Sequence, residues 1–274
     1  LYYVMEADGT GALTSGIIAK EGEPERKQDI NMTMKLRMGF ETKVGDVDQG
    51  GAATLTTRLS EYRLSQDGKD IIDFKSDDER NVTNETNSAL IELYKNPITM
   101  KVTPLGGVIN VSGIDRLSKT VPQMDIAGLI KQTQQKFPEK AVDVGDTWDE
   151  NIDFSWDNNS GKKKNTVAAK YEFMGYETVK DLRCARIHVK GEGDLSDVFN
   201  SIPSEIPGSV MDTKSLFVRY EGDIYFAPAE GVLTAFDFTM NQDVAAVITI
   251  KQGADSLKLN MSLNMALSGV YELK

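Results

Sequence analysis

The sequence predicts a mostly antiparallel β protein of the α+β class, one or two curved half-barrel sheets with a single main helix packed against the concave face. Three observations carry that prediction. Tyr171–Lys190 (YEFMGYETVKDLRCARIHVK) and Tyr220–Val244 (YEGDIYFAPAEGVLTAFDFTMNQDV) both run through strand-like residues into a short Gly-, Pro- or Asp-bearing turn and out again. Such strands need one face buried. The same alternation recurs in the first half, and only one stretch, Ser118–Lys136, reads as an extended helix.

Taken in order, Met32–Met38 and Ala53–Tyr62 alternate on either side of VGDVDQGG at Val44–Gly51, a long hairpin whose Asp and Gly residues suit a tight turn. Asp67–Lys69 (DGK) makes a second turn before Ile71–Lys75, and polar Asp77–Ser88 reads as a loop or frayed strand end. Pro97–Thr103 and Val108–Val111 flank the turn Pro104–Gly107. In Ser118–Lys136, Met124, Ile126, Leu129 and Ile130 form a partial apolar stripe that Pro138 ends, and Gly128 leaves two short helices as an alternative. A shorter helix is expected over Asp194–Ser201, and Ala245–Ile250 (AAVITI) is a strand. The chain divides into an N-terminal β half (1–116), a helical segment (117–138) and a C-terminal β half (139–274). One continuous sheet and two sheets both remain open at this stage.

Composition narrows the function classes. The 274 residues carry 31 Lys+Arg against 42 Asp+Glu, a net charge of −11 that repels phosphate backbones and argues against nucleic acid as a partner. Anionic membrane surfaces are disfavoured on the same ground, and the dense basic run Lys162–Lys164 reads as the cap of a turn after Asn158–Gly161. Cys184 is the single cysteine, so no intramolecular disulfide forms. No stretch approaches the roughly 18–20 apolar residues of a helical membrane span. The chain opens on Leu1 and moves at once into LYYVM, a start expected of an extracytoplasmic protein after signal-peptide removal, with a lipid anchor as one form of attachment.

Three phrases resemble those of an uncharacterised group of bacterial extracytoplasmic proteins and lipoproteins: NPITMKVTPLGGVINVSGIDRL (Asn96–Leu117), FPEKAVDVGDTW (Phe137–Trp148), whose VGDTW is the most recognisable piece, and GDIYFAPAEGVL (Gly222–Leu233). Such proteins are similar in fold to the lipoprotein-carrier (LolA-like) half-barrels, in which a curved antiparallel sheet wraps a helix. The resemblance implies a periplasmic, cell-surface or secreted location and, through the carriers in that group, a hydrophobic ligand. None of the three phrases contains a catalytic residue.

The residues themselves offer little chemistry. Cys184 and His188 are the only Cys and His; on a strand they share a face with Arg186 and Lys190, whose charges oppose a metal cation and an imidazolium. Cys184 and His188 would also stand roughly 13 Å apart, beyond hydrogen-bond reach, and no G-x-S-x-G elbow is present. Asp46-x-Asp48-x-Gly50 resembles the start of a calcium loop, but Thr57 stands where the closing Glu belongs. Asp143, Asp146, Asp149, Glu150, Asp153 and Asp157 form an acidic run that reads as a solvated edge, with calcium as the alternative. Trp148 and Trp156 beside it raise a carboxylate hydrolase or sugar platform as a lesser reading; Trp148 plugging one end of the sheet and Trp156 packing on its face is the simpler one. GTG (Gly9–Gly11) and GEG (Gly191–Gly193) lack the strand–loop–helix setting of a phosphate cradle and read as turns.

What remains is the apolar content, with methionines unusually frequent in the strands: Met5, Met32, Met34, Met38, Met174, Met240, Met261 and Met265. Thioether side chains suit either an adaptable binding surface or pliable filler beneath the helix. The expectation is a non-catalytic protein without metal or cofactor, binding a lipid or other hydrophobic ligand in the concave face. Met34, Leu36, Phe226, Leu233, Phe236 and Phe238 are the candidate lining residues. The competing expectation is an envelope interaction module with a filled core and a protein partner.

Overall fold

A computed structural model describes residues 1–18, 25–78, 88–115, 126–133, 137–158, 161–200, 209–252 and 255–274. Twelve strands form one antiparallel sheet: β1 (Tyr2–Ile18), β2 (Arg26–Val47), β3 (Ala53–Gln66), β4 (Lys69–Lys75), β5 (Ile98–Val102), β6 (Val108–Ser112), β7 (Thr147–Asn158), β8 (Gly161–Val179), β9 (Leu182–Asp194), β10 (Ser209–Ala227), β11 (Val232–Gln252) and β12 (Asp255–Leu273). The strand order is β6-β5-β3-β2-β1-β12-β11-β10-β9-β8-β7, with β4 added on β3. The C-terminal half is a meander, the N-terminal half places both β4 and β5 on β3, and the two halves meet through β1 and β12, paired from Tyr3–Leu273 to Ile18–Lys258. The choice between one sheet and two is thereby decided for one.

The turns follow their local chemistry. Asp67 and Gly68 take positive φ (51° and 76°) between β3 and β4, and Lys180 and Asp181 (51° and 64°) between β8 and β9. In the β2–β3 turn, Asp48 Oδ1 accepts the backbone N–H groups of Gly50 and Ala52 at 2.9 and 3.0 Å. Register shifts at Gly39/Phe40, Phe173/Gly175 and Tyr225/Phe226 add the bulges that bend long strands.

Three short helical segments are described: α1 (Ser88–Lys95), α2 (Ile126–Thr133) and the single turn α3 (Ser196–Phe199). This corrects the α+β expectation. Among the described residues the protein is nearly all antiparallel β, twelve strands against three short helical segments, with no main helix in the concavity. Of Ser118–Lys136, only Ile126–Thr133 is described as helix; the remainder lies outside the described residues. The physical reason is length: the apolar stripe is short and holds Gly128, whereas the strands run to 22 residues and do most of the burying. In the shorter expected helix, Asp194 Oδ1 caps the Ser196 N–H at 2.8 Å, and the residues from 201 lie outside the described set. Helix α1 had no counterpart in the sequence reading.

Helix α2 lies against both edge strands, β6 and β7. An eight-residue helix is only on the order of 12 Å long, so touching both edges requires the sheet to curl until they approach. The Phe137 N–H donates to the Leu105 carbonyl in the β5–β6 turn at 2.9 Å, while its ring sits 4.3 Å from that of Phe226 on β10. The face carrying Phe226 is therefore the concave one.

Antiparallel partners share a face, so the register defines that surface. One row of partners runs Phe173, Ile187, Ile224, Phe236, Tyr271 and on through Met5, Met38, Tyr62 and Phe74. Nine strands thus contribute apolar side chains to a single line, and Phe74 at its end is fully buried. Helix α1 covers the N-terminal part of this surface with Leu90, Ile91, Leu93 and Tyr94 over Met38, Phe40, Leu59, Tyr62 and Phe74. Phe137, Val142 and Trp148 cover the C-terminal part. The convex face carries the charge: Arg37 pairs with Glu6 and with Glu61 (3.1 Å), Arg58 with Glu41 (2.8 Å) and Lys35 with Asp8 (3.6 Å).

Candidate functional site: the apolar concave face

Beyond the reach of α1 and Phe137, the concave face continues as rows of apolar side chains that are only half-buried. Tyr220, Met240, Leu267, Gly9 and Met34 form one row, and Val218, Gln242, Met265, Gly11 and Met32 the next. Leu13, Leu263, Val244 and Ile30 follow, and at the far end Ile30 and Ile17 are 38% and 42% exposed. These rows cross the sheet for about 19 Å at about 4.8 Å per strand.

Glycines set the depth of the trough. A Cβ on Gly11 would lie 3.1 Å from Met32 Cγ, and one on Gly191 would fall 2.3 Å from two ring atoms of Tyr220. Gly9–Gly11 thus sits inside β1 and Gly191–Gly193 inside β9, which corrects their reading as turns. Their role is close approach: the backbone of one strand makes room for a long side chain from its neighbour.

All six residues expected to line a ligand site fall on this face. Met34 lies in the open rows. Leu36 belongs to the adjoining row, separated from Phe238 by the small residues Ala7 and Gly269. Phe236 and Phe238 have ring centroids 5.5 Å apart. Phe226 and Leu233 are partners at the covered end, where Phe226 meets Phe137.

At the C-terminal border of the trough is a polar group that the sequence reading did not single out as a unit. Trp148 stacks on Tyr171 (5.5 Å, 10°). Its indole Nε1 is buried with no hydrogen-bond partner, and the Tyr220 hydroxyl is buried with only the Tyr171 hydroxyl for a partner. The Tyr171 and Tyr220 hydroxyls are neighbours, and burial raises both phenols above their ordinary value. A buried donor without a partner costs about 1–3 kcal/mol, so this border is energetically unsatisfied. The sequence held no direct signal for it, because the pairing of aromatic Tyr220 with Gly191 appears only in the cross-strand register.

The convex face holds a second cluster. Arg186 donates to Glu177 (2.8 Å) and Asp223 (2.7 Å); His188 Nδ1 lies 2.9 Å from Asp223 and Nε2 3.2 Å from Glu221, which also pairs with Lys190 at 3.0 Å. Arg186, His188 and Lys190 do share a face, but each is neutralised by a carboxylate, an arrangement not anticipated from β9 alone. Burial pulls the Asp223 carboxyl up, yet hydrogen bonds from Arg186 and His188 outweigh it and hold it below the usual value. Cys184 stands apart, fully buried, with its thiol 3.3 Å from Thr234 Oγ1.

The calcium alternatives gain nothing here. Asp48 is committed to its turn and to Lys101 at 2.8 Å, and Asp153 to Lys164 (2.7 Å) and Thr166 (2.8 Å). Among the described residues, no group of three or more His, Cys, Asp or Glu comes together to hold a metal ion. The Trp156 and Asp157 side chains lie outside the described set. Two depressions, of about 580 and 660 Å³, are lined mostly by convex-face residues: Asp8, Thr33 and Lys35 beside Gly9, Met34 and Leu267 in one, and Lys170, Lys190 and Arg219 beside Gly191 and Tyr220 in the other.

The class these features define is an all-β protein built on one strongly curled, open antiparallel sheet, polar outside and apolar within. No family model matches the chain, and no curated protein matches it; the resemblance carried by VGDTW has no family model behind it. Among solved structures, the crystal structure of the hypothetical lipoprotein YmcC from Escherichia coli aligns with 92% of this chain and 82% of its own, at 10% identity and a TM-score of 0.24. A likeness that loose carries no argument about function.

Proposed function

We propose that this is a non-catalytic, extracytoplasmic protein whose concave face receives a hydrophobic, lipid-like ligand. One observation carries the reading: the rows through Met240–Leu267–Gly9–Met34 and Met265–Gly11–Met32 form an apolar trough with flexible thioether walls and a glycine floor, half-buried and not covered by α1. The extracytoplasmic part rests on the resemblance of the three phrases alone. The reading needs no metal or cofactor.

A second reading, an envelope interaction module, draws on the two depressions, which are lined mostly by convex-face residues. Native mass spectrometry of protein from a lipid-rich host, before and after organic extraction, separates the two. A stoichiometric extractable adduct in the lipid mass range is expected. A clean apo mass unchanged by extraction sinks the ligand reading and leaves the interaction module.

A further inference from the structure

The trough has a polar end. Trp148, on β7, belongs to the row Trp148–Tyr171–Val189, and Tyr220 heads the neighbouring row that runs on through Met240, Leu267 and Gly9 to Met34. The Tyr220 ring lies across Gly191, toward β8. The indole N–H of Trp148 is buried there without a hydrogen-bond partner, and the hydroxyl of Tyr220 is buried with only the Tyr171 hydroxyl beside it. Both groups can donate: the Tyr220 oxygen accepts from the Tyr171 hydroxyl, which leaves the Tyr220 proton to donate onward. Glu150 is on the same face, in register with Ala169 and Gly191, and its charge reaches Tyr171.

Resting on the ligand reading above, we propose that Trp148 Nε1–H and Tyr220 O–H bind the carbonyl oxygen of a neutral acyl ester or amide, whose hydrocarbon chain lies along Met240, Leu267, Gly9 and Met34. The unsatisfied donors supply what a carbonyl needs, and the row beside them supplies an apolar bed on the order of 19 Å long. A free carboxylate is a poorer fit, because it would bring a second negative charge toward Glu150. To reach the donors, the ligand displaces Phe137 and Val142, which pack over the same cluster.

The test uses the full chain with two probes, methyl laurate and the dye N-phenyl-1-naphthylamine, which has no carbonyl. W148F and Y220F keep an aromatic ring in each place. The expected result is that each substitution weakens methyl laurate about 5–10-fold, the value of one hydrogen bond, while dye affinity stays the same. Laurate at pH 7 should bind more weakly than its methyl ester, with E150Q narrowing the difference. Ester affinity equal in wild type and both variants overturns the carbonyl site but leaves the ligand reading standing. Equal losses for ester and dye reduce the two residues to packing and also overturn it. No binding of either probe to the wild type sinks both.

Discussion

Replacing Gly191 with alanine tests the close approach that shapes the trough. The new Cβ would fall 2.3 Å from Cε1 and Cζ of Tyr220 and 2.6 Å from its hydroxyl, where real Cβ contacts stay beyond 3.0 Å. The ring must swing out, and inserting a methyl group into such a site costs about 1–3 kcal/mol. Against this, alanine is better than glycine in a strand by about 0.5–1 kcal/mol. The net expectation is a loss of about 1–2 kcal/mol for G191A. In a Y220A background the clash disappears, and G191A should stabilise by about 0.5–1 kcal/mol. A double-mutant cycle read by guanidinium denaturation and circular dichroism should give a coupling of about 1–3 kcal/mol. If G191A costs the same in both backgrounds, Tyr220 does not lie over Gly191 and the account of the trough is wrong.

Other expectations are quicker to check. F74A removes a fully buried ring at the end of the long apolar row and should cost about 3–5 kcal/mol in chemical denaturation; a loss below 1 kcal/mol would show that the row is not continuous there. The Cys184 thiol should resist alkylation in the folded protein and react on unfolding, since it is fully buried; fast native labelling would contradict this. Asp223 has its carboxyl held low, so its stabilisation is present above the ordinary carboxylate range and lost as pH falls through the folded value. R186M should remove part of that acid-side dependence, with a loss near neutrality of about 1 kcal/mol. Burial, reinforced by Asp223, pushes the Asp237 carboxyl up. The ionised form is thus disfavoured in the fold, and D237N should raise the melting temperature slightly at pH 7 and not at pH 3.

Strands and turns were legible because their signals are local. The alternation in Tyr171–Lys190 and Tyr220–Val244 and the turn residues Asp67–Gly68 specify themselves within a few positions. Amphipathic periodicity is a poor guide to fold class here, because it leaves out the sheet, whose strands of up to 22 residues outweigh the eight described helical residues Ile126–Thr133. Glycines were misread for a related reason: Gly9, Gly11, Gly191 and Gly193 have no turn to make, and their meaning comes from Met32, Leu267, Tyr220 and Val167 on other strands or in other rows. The candidate residues Met34, Leu36, Phe226, Leu233, Phe236 and Phe238 could be chosen by apolarity and alternation alone. Their common face follows from cross-strand register, and so does the neighbourhood of Trp148 and Tyr220.

The pairing of β1 with β12 also fixes the order in which this molecule can be made. Translation delivers the N-terminal half with one flank of β1 bare, and the strand that satisfies it ends at Leu273. Until then, the backbone donors and acceptors along that flank are open to any passing strand, including the same strand of another copy. A sheet closed by its most distant segments is a slow folder by topology, and its incomplete forms are the hazardous ones. A cell making this protein therefore has reason to keep the chain from collapsing until β12 has emerged, and losing β12 would expose the middle of the sheet rather than trim its rim.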